Sequence, residues 1–517
     1  MDRKFKYSST TLVTSLLILS ACSSNSLTNN GNESVESDTN GQTVTVDTNL
    51  KKIIADKSLT GNPMAGRNIP DISSKEAQLG MRLFFSKALG GDWDSACVSC
   101  HHPSLGGGDD LSLPIGVGAT NANLLGPGRV HDSSSPHSDG GPPVPRNAPT
   151  TFNVAAWDSV MFHDGRVESI GKTAGKNGDD GQGIRTPDTA YGAVDPLAGQ
   201  NLTQAQARFP VTSPEEMKGF ENDDHTNQEL RDYLASRLGS YGEGSGELYD
   251  TAYWLEQFRT ALNKPDGGAQ ELITEQQVSF LIGEYERSQS FVETPWKRYI
   301  EGDDTALSEK AKNGALIFFS AVADGGANCS SCHSGDFFTD EKFHNLAMPQ
   351  LGRGKGDGDD TSEDFGRFRE TKADDDKFAF RTPSLLNVEV TGPWSHAGAY
   401  TSLEAVVRHN LDPEAAISSY DSSQLTQAGI QNLDKIPSNT QKALDKLQAD
   451  RAAGKNVIEK VSLTDEQVSD LVEFLKALTD PCVKDRECLA NWIIDPINDA
   501  DPSGDQLNAV NEKGELL

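Results

Sequence analysis

Two stretches decide how this chain folds: SACVSCHHPSLGGG, Ser95 to Gly108, and ANCSSCHSGDFF, Ala327 to Phe338. Each holds a Cys-X-X-Cys-His motif, with Cys97, Cys100 and His101 in the first and Cys329, Cys332 and His333 in the second. Two thiols a helical turn apart add across two vinyl groups, and the next residue offers an imidazole to iron, so the motif reads as a c-type haem attachment signal. A single match would also suit a zinc half-site or a redox dithiol; two in an exported chain select haem. The expectation is two c-type haems with His101 and His333 as proximal ligands.

Export is read from the first residues. MDRKFKYSS supplies a positive region and TTLVTSLLILS a short apolar one, and Leu19-Ser20-Ala21-Cys22 has the form of a lipobox. Residues 1–22 are expected to be a lipoprotein signal peptide, with Cys22 lipidated after cleavage. The apolar run is too short to span a bilayer, so the membrane is reached only through the lipid. Ser at position 23 favours sorting to the outer membrane, facing the periplasm. The Ser/Asn/Gly-rich residues after Cys22 read as a disordered tether over 23–60. In an oxidising compartment the remaining pair, Cys482 and Cys488, reads as a small disulfide loop in the C-terminal tail, 481–517.

With 517 residues the chain is long enough for two or three domains. Its 46 Lys and Arg stand against 77 Asp and Glu, a net charge of −31, which excludes nucleic acid and anionic lipid headgroups as partners. A basic protein partner would be steered in, although many of the acids lie in Gly-rich loops where they solvate the surface.

Cap residues ahead of apolar positions at helical spacing predict helices within Ser73–Lys87, Ser308–Ser320 and Thr464–Leu478. Strand-like alternation is scarce. The first two precede the haem motifs as the opening helix of a cytochrome c fold does, and the third resembles its closing helix. The expected fold is mainly α: two cytochrome c-like haem domains, over 61–300 and 301–480, with long inserted loops. The inserts at 167–200 and 218–270 are rich in Gly, Asp and Gln and are expected to decorate the reactive face.

Further motifs carry a resemblance. PRNAPTTFNVA (Pro145 to Ala155), FHDGR (Phe162 to Arg166), Gln206-Ala207, Pro210-Val211 and Glu216-Met217 recur in order, followed by FAFRTPSLLNVEVTGPWSHAG (Phe378 to Gly398) and SLEAVVRHN. Together they resemble the bacterial dihaem cytochrome c peroxidases and their MauG-type relatives, from about Gly61 to Asp480. The resemblance implies that Glu216 is the general acid/base on the peroxide side of the first haem, assisted by Gln206. It also implies a calcium ion held by Asn147 and by the Thr391 and Pro393 carbonyls, oxygen donors of the kind a hard cation requires. Dimerisation is implied as well.

Splitting hydrogen peroxide on haem iron needs an open coordination site, a base that moves a proton between the two oxygens, and polar groups that stabilise separating charge. The oxidised iron then needs electrons, which a second haem relays singly from a small cytochrome c or a cupredoxin. One haem reacts and the other supplies.

Three departures from the family pattern bear on this reading. Where many relatives carry a His that caps the first iron, this chain has Val117, so the first site is expected to be open unless His131 or His137 reaches it. Where relatives place a bridging Trp between the haems, it has His163, either a hydrogen-bonded path or a buried imidazole satisfied by a carbonyl; Trp394 is a partial substitute. Where relatives place the distal Met or Tyr of the second haem, it has Asn410, which makes His409 the candidate distal ligand, while Met348 reads as packing. The run GKGDGDD, Gly354 to Asp360, lacks the spacing of a calcium loop and reads as a solvated linker. Three functions follow: a peroxide reductase, a MauG-type oxidase of a residue on a partner protein, and a dihaem electron carrier without catalysis.

Overall fold

The computed structural model describes residues 36–37, 43–135, 141–219, 224–250, 252–455 and 458–517. Cys22 and His137 lie outside them. The chain divides into a unit over residues 1–45, whose described part is a short antiparallel pairing of Glu36–Ser37 with Thr43–Val44, and a large unit over 46–517. The large unit is mainly helical, with one three-stranded and one two-stranded sheet. Among the described residues no helix is long and apolar enough to cross a membrane.

The three helices predicted from capping form at Lys75–Phe84, Glu309–Phe319 and Asp465–Lys476, and the Ser74, Ser308 and Thr464 side chains accept from backbone N–H groups of their first turns. Each opening helix packs on a partner across a glycine. A Cβ at Gly80 would stand 1.9 Å from the Leu281 carbonyl oxygen of the Glu275–Ser288 helix, and one at Gly314 1.9 Å from that of Asp470. Only a glycine allows such an approach. The partner of the first helix, Glu275–Ser288, therefore stands where Asp465–Lys476 stands for the second.

The repeat continues where each of these partner helices ends. Asn153 and Asn387 both adopt the left-handed conformation, with φ 60° and 63°, which Asn tolerates better than most residues. Their backbone N–H groups donate to Gln289 and Leu478, just past the two helices, and both side-chain amides donate to the Phe291 carbonyl, at 3.1 and 3.0 Å. One carbonyl thus ties the two repeated segments together.

The two largest apolar clusters do not follow the sequence division at 300 and 480. One joins Leu50 to Met64 and Val154 to Phe209 with residues 292 to 478; the other joins Leu79 to Phe152 and Ala207 to Phe291 with Val483 to Ala509. The tail over 481–517 therefore belongs to the cluster that surrounds the first motif. Leu507 donates to the Phe85 carbonyl and Val510 to that of Asn123.

Two other expectations change. Residues 46–56, assigned to the disordered tether, form a helix, because Leu50 is buried beside Ile53 and Ile54 while Asp47 accepts from the Tyr299 hydroxyl at 2.7 Å. The insert expected over 218–270 is not mere decoration. Leu230, Leu234 and Leu238 recur every four residues along the Asn227–Gly239 helix, and with Trp254 and Phe258 they enter the first-motif cluster.

Candidate functional site

Both Cys-X-X-Cys-His motifs open on a short 3-10 turn, Cys97–Ser99 and Cys329–Ser331, and their four thiols are unbonded and half-buried. Nδ1 of His101 lies 3.2 Å from the Gly107 carbonyl, and Nδ1 of His333 lies 3.0 Å from that of Phe338. A carbonyl only accepts, so Nδ1 carries the proton on each ring and Nε2 keeps its lone pair. Burial holds both imidazoles below the ordinary histidine range and hence neutral. Free thiol pairs beside neutral, tautomer-fixed imidazoles fit a c-type haem at each motif.

Glu216 stands in a π turn, Pro214–Lys218, in which the Met217 and Lys218 N–H groups both donate to the Ser213 carbonyl. The next residue places the turn beside the first motif, since the Met217 Sδ lies 3.9 Å from Cys97 Sγ. Behind it runs the segment of Val117. That side chain is fully buried, its N–H donates to the Glu215 carbonyl at 3.3 Å, and a Cβ at Gly116 would collide with the Glu216 carbonyl. Burial pushes the Glu216 carboxyl up from its ordinary range, while Arg166 and Lys355 pull it back. Gln206, half-buried near the end of the Leu202–Ala207 helix, is followed by Ala207, which shares the core cluster of Met217. The His131 ring packs against Gly118, next to Val117.

Five other residues singled out in the sequence have defined surroundings. His163 donates from Nε2 to the Asn147 carbonyl at 3.0 Å, and burial, with Arg146 and Arg381 nearby, drives its pKa down to about 3. It is the carbonyl-satisfied neutral imidazole rather than a protonated relay. Trp394 is tied to the Val388 carbonyl at 3.0 Å and bridges to Tyr400. His409 is fully buried with both nitrogens occupied: Nδ1 meets the Tyr400 hydroxyl at 2.7 Å and Nε2 the Leu346 carbonyl at 2.8 Å. The carbonyl must receive the Nε2 proton, so the Tyr400 O–H donates to the lone pair on Nδ1 and none remains for iron. Asn410 is exposed and donates to the Val406 carbonyl, and Met348 is half-exposed. His409→Gln is accordingly expected to leave the low-spin absorption and EPR signals of the second haem unchanged; their loss would restore His409 as ligand.

Of the three residues expected to hold calcium, Asn147 is tied through His396 to the segment that carries Thr391 and Pro393. Asn147 spends its side-chain N–H on the Leu111 carbonyl at 2.9 Å, which leaves Oδ1 as a donor, and its backbone N–H on the His396 carbonyl at 2.9 Å. Oxygen donors of this kind fit a hard cation. The Cys482 and Cys488 sulfurs are bonded, with Cα atoms 5.3 Å apart.

Sequence reasoning missed Lys355 and its loop. Read as a solvated run, the loop instead hydrogen-bonds back on itself through Glu363, which is 1% exposed, and Lys355 is half-buried near Arg146 and Arg166. Alternation of Gly with Asp gave no signal of this, because the contacts that bury the loop come from distant segments.

Residues 74–305 match the family model described as di-haem cytochrome c peroxidase. The methylamine utilization protein MauG of Methylorubrum extorquens is 27% identical over 343 residues, covering 66% of this chain and 69% of that protein. The cytochrome c551 peroxidase of Pseudomonas aeruginosa is 26% identical over 337 residues, 65% of this chain and 71% of that protein. A solved structure of a MauG-like protein associated with microbial copper homeostasis shares the fold, with a TM-score of 0.51 at 20% identity over 82% of this chain and 96% of that one. The class is therefore that of c-type haem oxidoreductases. Within it, the chain is similar to the di-haem cytochrome c peroxidase and MauG family, a likeness that implies two c-type haems.

Proposed function

We propose that the protein is a lipid-anchored periplasmic peroxidase, built as two haem domains with inserted loops, that reduces hydrogen peroxide to water. The observation that carries this reading is Glu216, a carboxylate in a π turn beside the first motif, backed by the non-ligating Val117. Two c-type haems would supply an iron that accepts peroxide at the first motif and a one-electron relay at the second. The thiols of Cys97, Cys100, Cys329 and Cys332 would anchor them, and His101 and His333, with Nδ1 committed to a carbonyl, would offer Nε2.

Glu216 takes the proton from the inner peroxide oxygen and delivers it to the outer one, and Gln206 hydrogen-bonds the separating charge. Val117 keeps the first site clear of a capping side chain. Two electrons and two protons per peroxide yield two waters, the electrons coming from a reduced small cytochrome c or cupredoxin. Asn147 and the Thr391 and Pro393 carbonyls would hold a calcium ion.

The MauG-type reading, oxidation of a residue on a partner protein, is favoured by the 27% identity to a MauG protein and by Val117. The test mixes the fully oxidised protein with peroxide and reduced small cytochrome c. Steady cytochrome oxidation from the first seconds, without pre-reduction, is expected. A long-lived change in the haem spectrum with no cytochrome oxidation would replace this reading with the partner-protein one.

A further inference from the structure

Arg129 is a buried cation that the chemistry above does not use. It is 2% exposed, and among the described residues its guanidinium forms no ion pair; Asp94 and Asp109 act on it from beyond ion-pair distance. A charge in the interior is costly unless its donors are filled. Here five backbone carbonyls fill them. Nε donates to Ile115 at 2.7 Å and Nη2 to Gly116 at 3.0 Å, while Nη1 lies 2.9, 3.0 and 3.3 Å from the carbonyls of Leu124, Ala122 and Asn121. Only a guanidinium carries so many donors in one rigid fork.

The two sides of this grip serve different places. Ile115 and Gly116 begin the segment that carries Val117 and backs the Glu216 turn. It lies in no helix or strand, so its backbone groups find partners only through contacts of this kind. The rest of it is committed as well. The Val117 N–H donates to the Glu215 carbonyl at 3.3 Å, the Gly118 N–H to Asp94 Oδ2 at 2.6 Å, and the Gly118 carbonyl accepts from Asp132 at 2.7 Å. A Cβ on Gly116 would stand 2.3 Å from the Glu216 carbonyl oxygen and 2.4 Å from that of Glu215, so segment and turn meet backbone to backbone.

On the other side, residues 121–124 belong to the loop that leads to Arg129. The Thr120 N–H and hydroxyl both donate to the Val130 carbonyl at 3.0 Å, which closes the loop. The C-terminal tail straps it from outside: the Leu125 N–H donates to the Val510 carbonyl at 3.0 Å, and the Val510 N–H to that of Asn123 at 2.9 Å.

We propose that Arg129 is a positioning residue of the first site, whose guanidinium clamps the 115–118 segment against the Pro214–Lys218 turn and so fixes the Glu216 carboxyl for proton transfer. The loop and the tail hold the clamp in place. Arg129 donates only to backbone carbonyls, so it acts through the segment and not on the peroxide. The proposal rests on the reading of Glu216 as the acid/base of the first site.

The test compares Arg129→Gln, Arg129→Lys and Gly116→Ala with the wild-type holoprotein. Gly116→Ala displaces the same segment with Arg129 still present, and it decides the matter if the arginine variants fail to fold. Hydrogen exchange over residues 111–120, read by mass spectrometry, is expected to quicken in every variant. Peroxide turnover per loaded haem is expected to fall about 10²-fold, the cost of misplacing a reacting group by an ångström, with KM for reduced cytochrome c unchanged. Lysine is expected to fail as glutamine does, because one ammonium cannot grip both sides. Added to Glu216→Gln, Arg129→Gln should cost nothing more, since it acts through that residue. Unchanged exchange, wild-type turnover beside quickened exchange, full turnover with lysine, or losses that multiply in the double variant would each overturn the proposal. The two readings fail separately. Full turnover in Glu216→Gln removes the acid/base role whatever the arginine variants do, whereas a slow Glu216→Gln beside a fully active Arg129→Gln removes only the clamp.

Discussion

Glu216→Gln is expected to lower peroxide-dependent cytochrome oxidation by about 10²- to 10⁴-fold, the range general acid–base catalysis contributes. Haem content and the unfolding midpoint should stay near wild type. The substitution keeps the size and hydrogen-bonding reach of the side chain but removes its ability to accept a proton. Glu216 forms no ion pair with a described residue, so its loss does not break a structural pair. The wild-type pH profile should carry the same signature. The base is active as a carboxylate, and burial raises its pKa, so the rate falls as pH drops through a value above that of an exposed Glu. The limb should vanish in the variant. Steady-state rates across pH decide this, and a variant with wild-type turnover would remove Glu216 from the chemistry.

The second large effect is on stability. Arg146→Met is expected to cost about 3–5 kcal/mol, the penalty for breaking a buried ion pair from one side. Arg146 belongs to the stretch at 145–155, Asp164 to the turn at 162–166 and Asp364 to the second half of the chain, so this one guanidinium joins three segments. It also holds both carboxyls well below the ordinary Asp range against the opposing effect of burial. A carboxyl whose folded pKa is depressed stabilises the fold above its unfolded value, 3.8, and loses that contribution as pH falls through the folded value. Without Arg146 the main opposition to burial is gone, with Arg166 still beside Asp164, and both folded pKa values rise. The deficit of the variant is therefore largest at neutral pH and shrinks near pH 4, where the orphaned carboxyls take up protons. Denaturant unfolding at the two pH values measures the difference; equal deficits would mean that the pair contributes packing and not charge.

The sequence carried the local features of this protein. The spacing of Cys97, Cys100 and His101, and of their repeat at 329–333, is set by covalent reach within one turn, and Ser74, Ser308 and Thr464 cap helices whose apolar spacing is visible over a dozen residues. Where the sequence misled, the deciding contacts were remote. His409 reads as a ligand by its position in a motif, yet Tyr400 and the Leu346 carbonyl, sixty-three residues away, occupy its ring. His163 is neutral because it is buried beside Arg146 and Arg381, and its one N–H is spent on the Asn147 carbonyl.

The chemistry each residue can do, and the helices that present it, are legible along the chain. Which residues come together followed from the packing of distant segments: the crossing of Val154 to Phe209 into the second-motif cluster and the return of Leu507 and Val510 to the first. The reason is physical. Local periodicity records which face of a segment avoids water, whereas the balance of buried charge is settled among segments that meet only once the chain has folded.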